Sequence, residues 1–335
     1  MTEILGRHPA LTFLICVGLF LLTLVLPLND YVLHILTLSL IFAIFASGWN
    51  LTLGILGLKT LGHHAFFAIG AYLSAIAAFY GGVSPWLTIW VGAVLAALAG
   101  FLIGLPILRI RSMPHVAIVT LAFAEIVRLV FSNLKDITRG ELGFWGIPPF
   151  DPVSFGETTI RFGLGNAWGS FILVGLFFFA VQGGLLLLLR SRPGLTFAAI
   201  RDSEAAAESL GINLGAWKLA AFALSAGIVG LSGAIYAHYV MILTPTSVAG
   251  PEMLITLLAI IIVGGAGRFF GPLYGALLLT GSLELLREFG DYRMLLYGAL
   301  VIVFVFVAPQ GIAGLKFDRL RRRRGHGTNE SSSAA

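Results

Sequence analysis

The chain has 335 residues, of which 58% are hydrophobic and only 11% charged, against about 25% charged in an ordinary soluble domain. No water-soluble fold buries such a surplus, so a soluble enzyme is excluded and the bilayer is the solvent. The net charge of +5 raises nucleic acid as a ligand, but the basic residues sit in loops and at the tail between apolar runs, which argues against it.

Apolar runs of about 17 residues or more, each enough to cross a hydrocarbon core of roughly 30 Å, recur along the chain. In lipid every backbone amide needs an internal partner, which leaves helices or closed barrels. Unbroken runs such as Phe171 to Leu189 lack barrel alternation. The expected fold is therefore all-α and polytopic, with about ten spans near 11–28, 31–53, 60–80, 86–108, 114–132, 168–189, 217–240, 253–266, 270–289 and 292–308. The first run, Leu11 to Pro27, is read as a retained span because no small-residue cleavage site follows it. Its Cys16 is the single cysteine, which excludes a disulfide framework and a cysteine metal site.

With the N-terminus inside, ten spans put about 15 of the 21 basic residues in the cytoplasm, among them Arg7, Lys59, Arg109, Arg111, Arg190, Arg201, Arg268 and the run Lys316 to Arg324. Both termini are then cytoplasmic, in keeping with the positive-inside rule. Five spans followed by five of opposite direction suggest an inverted repeat. Each half also carries a glycine-rich interruption, Gly54 to Gly62 and Gly264 to Pro272. Broken helices at membrane depth are tolerated where protein or an aqueous cavity covers them, so the breaks are read either as bordering a substrate path or as close packing sites, the latter like Gly100 to Gly104.

Few ionisable groups lie within the spans. Glu125 and Arg128, three residues apart near the outer end of the fifth, share a helix face and can pair. His63, at the inner start of the third, either bonds a carbonyl freed by the break or lines a cavity. Glu284, Arg287 and Glu288 are expected to form a solvated cluster at the outer end of the ninth span.

The most informative loop is the inner one at 190–216. Pro193-Gly194 is expected to break the preceding span, Thr196 to cap a short cytoplasmic helix, and Gly211 to stop it. That helix is small or apolar on one side (Ala199, Ala206, Leu210) and charged elsewhere (Arg201, Asp202, Glu204, Glu208). It suits either docking into a groove on another protein or lying on the membrane surface.

The stretch Ala199 to Ile212, followed by Lys218 to Ala226, resembles the coupling loop of LivM-type branched-chain amino acid permeases, subunits of ATP-binding cassette importers. Gly57-Leu58-Lys59-Thr60-Leu61-Gly62-His63, Ala117 to Arg128, Gly146-Ile147-Pro148, Val263 to Gly267 and Pro309-Gln310-Gly311 follow in the family's order, over nearly the whole chain. His64 stands where the family usually has alanine, and Arg139 to Gly143 replaces its usual outer-loop glycine motif.

The resemblance implies a type II importer-like permease domain over 1–318, with 190–216 as the ATPase-coupling loop and 319–335 as a basic, then disordered tail. It implies ATPase contact through Arg201, Glu204, Ala205, Ala206, Glu208 and Gly211. A translocation path is expected near Gly62, His63, Thr120, Glu125, Gly264 and Gly265. No catalytic or metal site is expected, nor a cofactor of the chain's own. There is no Gly-x-x-x-x-Gly-Lys-Ser/Thr loop, so ATP and Mg would act through partner subunits. The implied partners are a second homologous permease, two ABC ATPases, a periplasmic or surface substrate-binding protein and membrane lipid, with no nucleic acid, in a bacterial inner membrane. The implied cargo is a branched-chain or similar amino acid. Urea or short amides are the alternative cargo, and an ion-coupled secondary transporter is the alternative class.

Overall fold

The computed structural model describes residues 9–110, 112–155, 158–163 and 165–314. The expected tail at 319–335, the basic run from Lys316, Arg7 and Arg111 lie outside the described residues. The chain is an all-α polytopic membrane protein. Among the described residues, 8 helical stretches are long and apolar enough to cross a membrane. One shorter apolar helix, Pro9–Val25, falls on the first expected span, and the 15-residue helix Gly271–Leu285 lies on the ninth.

In chain order the first five helices are α1 (Pro9–Val25), α2 (Asp30–Asn50), α3 (His63–Gly81), α4 (Pro85–Ile107) and α5 (Met113–Asn133). The outer loop holds a one-turn helix, α6 (Lys135–Thr138), and the strands β1 (Phe144–Trp145), β2 (Val153–Phe155) and β3 (Thr158–Ile160). Then come α7 (Ala167–Arg190), the inner-loop helices α8 (Arg192–Asp202) and α9 (Glu204–Ser209), and the long α10 (Leu214–Val240). Strand β4 (Ile242–Leu243) leads into α11 (Pro245–Ala249), α12 (Pro251–Gly264), α13 (Gly271–Leu285) and α14 (Arg293–Val307).

The core is the contact of α3, α4 and α10, with α2 laid against it. With no hydrophobic drive between helices in lipid, close approach of backbones supplies the packing, and glycine permits it. A Cβ at Gly70 of α3 would sit 2.0 Å from the Gly230 carbonyl oxygen of α10, and one at Gly100 of α4 would sit 2.4 Å from the Ala226 Cβ. The Gly100 to Gly104 pair is thus a packing contact. At the periphery, α1 buries no residue and α14 buries only Tyr297, so both present apolar faces outward.

The outer loop is folded onto the bundle. Strand β1 pairs antiparallel with β4, Phe144 opposite Leu243, and β2 pairs with β3. Ser84 donates to the Asp151 carboxylate, and Trp86 Nε1 donates to the Asp151 carbonyl at 3.2 Å. His238 of α10 donates Nδ1–H to the Pro148 carbonyl at 2.7 Å, while its Nε2 lies 2.8 Å from Ser74 Oγ. One buried imidazole thereby ties the loop to α3 and α10. At the ninth span α13 ends at Leu285 and continues as a 3-10 segment to Tyr292. There Arg287 pairs with Glu284 at 3.0 Å, and Tyr31 donates to Glu284 at 2.6 Å.

Candidate functional site

The two glycine-rich interruptions, more than 200 residues apart in sequence, meet. After Asn50 the α2 backbone widens into a π-helical turn, Leu51–Leu56, which ends at Gly57 with φ +83°. Such bulges accompany functional sites because they break the regular hydrogen-bond ladder. A Cβ at Gly54 would sit 2.1 Å from the Gly267 nitrogen, so any other residue there would push the second break away. Asn50, 2% exposed, clamps the contact from the side. Its Oδ1 accepts from Gly267 N–H at 2.8 Å and its Nδ2 donates to the Arg268 carbonyl at 3.0 Å. Backbone groups released by one break are thus satisfied by a side chain beside the other, as burial requires.

The second break extends this knot. Gly265 has φ +114°, which side-chain-bearing residues rarely adopt, and a Cβ at Gly264 would meet the Gly271 carbonyl oxygen at 2.1 Å. Arg268 donates Nη1–H to the Ala313 carbonyl at 3.1 Å, holding the segment after α14 against it. Gly62 belongs to the first break but faces α5. A Cβ there would lie 2.1 Å from the Thr120 carbonyl oxygen, and Leu61 N–H donates to Thr120 Oγ1 at 3.0 Å. Gly62 and Thr120 are therefore brought together, as are Gly264 and Gly265, in two separate backbone contacts.

His63 is fully buried and stacked on Trp49, with ring centroids 5.5 Å apart. The freed Thr60 carbonyl is taken by Trp49 Nε1 at 3.1 Å, leaving the imidazole to bond hydroxyls. Thr60 Oγ1 lies 3.1 Å from Nδ1, and Ser225 Oγ and Thr52 Oγ1 lie 2.9 and 3.2 Å from Nε2. Ser225 and Thr52 spend their own protons on the Gly48 and Trp49 carbonyls, so Nε2 carries the hydrogen and Nδ1 accepts. His63 thereby joins α2, α3 and α10 in one polar knot.

Glu125 and Arg128 pair as their spacing implies, at 2.5 Å, and Glu141 of the outer loop lies 3.7 Å from Arg128. Glu125 is the 13th of 21 residues of α5, about 12 Å short of its outer end. Its side chain is 49% exposed on an outward face shared with Ile118, Ala122 and Leu129.

The inner loop departs from the expected single helix. Ser203, with φ −162°, separates α8 from α9 and caps α9 by accepting from Ala206 N–H at 3.3 Å. Pro193 and Gly194 belong to the first turn of α8 because proline is tolerated there, and Thr196 is interior, donating to the Arg192 carbonyl at 3.1 Å. Gly211 does stop the helix, at φ +81°. Ala207 is buried against the bundle, while Ala205, Ala206, Glu208 and Leu210 are exposed. Glu204 pairs with Lys218 of α10 at 2.6 Å. Arg201 packs over Gly57, where an added Cβ would lie 3.2 Å from its Cγ, so this loop touches the first glycine break.

Sequence reasoning missed Asn50, Ser225 and His238. Each is a polar residue in an otherwise apolar span, the one signal that marks such positions.

Residues 31–305 match the family model described as branched-chain amino acid transport system / permease component. The LivM permease protein of the high-affinity branched-chain amino acid transport system of Escherichia coli (strain K12) is 34% identical over 320 residues, covering 89% of this chain and 73% of that one. A probable branched-chain amino acid transport permease protein LivH of Methanocaldococcus jannaschii is 24% identical, covering 85% of this chain and 92% of its own. The nucleoside ABC transporter permease protein NupC of Lactococcus lactis subsp. cremoris is 28% identical over 200 residues, covering 54% of this chain and 59% of its own. No solved structure matches the chain. With that family matched across all but the two ends, the chain belongs to the branched-chain amino acid transport system permease family.

Proposed function

We propose that the chain is the permease subunit of an ATP-binding cassette importer that moves leucine, isoleucine, valine or a similar small amino acid inward across a bacterial inner membrane, with both termini cytoplasmic. The family match over residues 31–305 carries this reading. The chain binds no cofactor itself, and ATP with Mg is hydrolysed by two partner ATPases. A second homologous permease completes the pore, and a substrate-binding protein delivers cargo to the outer face.

The inner loop supports the coupling role. It offers Ala205, Ala206 and Leu210 outward while Glu204 and Ala207 fasten it to the bundle, so force on the exposed side is transmitted rather than absorbed. The meeting of the two breaks supports a 5+5 inverted repeat, in which two structurally related halves abut at membrane depth. Residues 1–318 then act as one domain. The path runs beside the Gly62–Thr120 contact and the exposed face of α5, with His63 and the Gly264–Gly265 turn as its supporting wall.

The test is uptake into proteoliposomes carrying the chain with its co-purified ATPases, second permease and binding protein. ATP-dependent accumulation of labelled leucine, competed by isoleucine and valine, is expected. Accumulation of urea or a short amide in place of leucine overturns the cargo, and uptake driven by an ion gradient without ATP overturns the class.

A further inference from the structure

Charge on a lipid-facing helix surface is expensive, and within spans it is found facing a bundle interior or a water-filled cavity. In α5 the Glu125–Arg128 pair lies beyond mid-helix on an outward face. Arg128 also reaches Glu141, and Glu141 accepts from Ser132 at 2.6 Å, giving a chain of alternating charge that climbs to the outer loop. That chain alone would suit a structural pair.

Two further groups lie behind it on α3. His64, 3% exposed, is in electrostatic range of Glu125. Tyr72, fully buried, has a hydroxyl without a partner and is in electrostatic range of Glu141. Buried polar groups are costly unless bonded, so an orphaned hydroxyl and a buried imidazole flanking a charged chain point to a polar occupant there.

We propose that Glu125 and Arg128, backed by His64, form a cargo-contacting site that reads the zwitterionic end of an α-amino acid on its passage. Resting on the importer reading above, this names the chemistry of the path. Arg128 offers a fork to the carboxylate and Glu125 takes the ammonium, so the zwitterion exchanges for the internal pair one charge at a time. In the structure the two side chains satisfy each other, and Glu141 lies close enough to hold Arg128 while Glu125 is engaged. Hydroxyl and methyl contacts play no part in this exchange, so the site is indifferent to the cargo's side chain. A neutral amide cannot split the pair.

The experiment uses the assembled transporter in proteoliposomes. E125Q and R128Q are each expected to lower leucine uptake at least about tenfold while assembly with the ATPases is kept, the loss expected of one charge-assisted contact. The swap E125R/R128E keeps a pair but reverses the charges, and it is expected to restore none of the uptake. Recovery to wild-type uptake in the swap, or loss of assembly in E125Q, makes the pair structural and overturns the site. In an otherwise wild-type chain carrying Cys16→Ser, a cysteine at the exposed Ala122 is expected to react with a water-soluble methanethiosulfonate reagent. Millimolar leucine should slow that reaction, and 4-methylpentanoate, which lacks the ammonium, should not. No reaction, or equal slowing by both compounds, also overturns the site. Wild-type assemblies that take up no branched-chain amino acid overturn the cargo reading itself, which these variants leave distinguishable.

Discussion

Asn50→Ala tests whether the two breaks form one structural unit. The substitution removes the acceptor for Gly267 N–H and the donor to the Arg268 carbonyl, both at a site 2% exposed. At 2% exposure the site is closed to bulk water, so the freed backbone groups lose their partners. Each buried group left unpaired costs about 1–3 kcal/mol, so the pair costs about 2–6 kcal/mol. At roughly 2 °C per kcal/mol for a chain of this size, the unfolding midpoint in detergent should fall by about 4–12 °C. Tryptophan fluorescence reads it, and Trp49, stacked on His63 one residue away, reports on the affected turn directly. Asn133→Ala, which removes an exposed bond to Leu129, should shift the midpoint by about 1 °C or less. An Asn50→Ala midpoint indistinguishable from that of Asn133→Ala would refute the clamp.

Glu204→Lys combined with Gly211→Val replaces the Lys218 pair with repulsion and puts a β-branched residue at φ +81°; loss of a coupling contact of about 1–3 kcal/mol should cut uptake and ATPase co-purification by about 5–150-fold, with membrane insertion unchanged. Full retention of both would remove the coupling role. In a Cys16→Ser background, cysteines at Leu142, 90% exposed, and Leu210, 79% exposed, should label from opposite faces of intact cells, Leu142 from outside. Labelling from one face would reverse the topology. His238→Ala frees Pro148 from α10, and limited proteolysis should then cut the outer loop about tenfold faster, since roughly 1.4 kcal/mol of lost anchoring is a factor of ten in the open population.

Spans were legible because lipid imposes a long apolar run on every crossing; the expected 31–53 and 217–240 fall within Asp30–Leu56 and Leu214–Val240. Long-range pairing was not. Nothing local says that Gly54 abuts Gly267, since that contact depends on how α2 and α12 cross. The inner loop was half legible: Gly211 was visible as a stop, but the Ser203 cap was passed over for Thr196, although a serine before Glu-Ala-Ala is an ordinary helix start. The π-helical turn had no signal beyond the glycine at 54. Glu125 and Arg128 were legible as a pair, whereas their exposure required knowing which face of α5 packs on α3.

Why the breaks are packed rather than open follows from what lies on each side of them. Arg201 of α8 rests on Gly57, the residue that caps the π-helical turn, and Gly54 within that turn rests on Gly267. On the other side of the loop, α10 carries Ser225 to His63, whose helix begins at the Gly62–Thr120 contact. A displacement of the inner loop therefore reaches both breaks by short mechanical routes, one through backbone contact and one through α10. Close-packed interfaces switch between discrete arrangements rather than deforming smoothly. An open cavity at the breaks would absorb such a displacement; glycine knots with no spare volume pass it on. The glycines that fit a packing role are thus the same ones that suit coupling, and bulk added at Gly62 or Gly265 should disturb assembly and uptake together. If the path runs as proposed, an ion pair separates it from its supports: the outward face of α5 carries Glu125 and Arg128, whereas the knots are held by close backbone contact and by hydrogen bonds, Arg268 donating there to a backbone carbonyl.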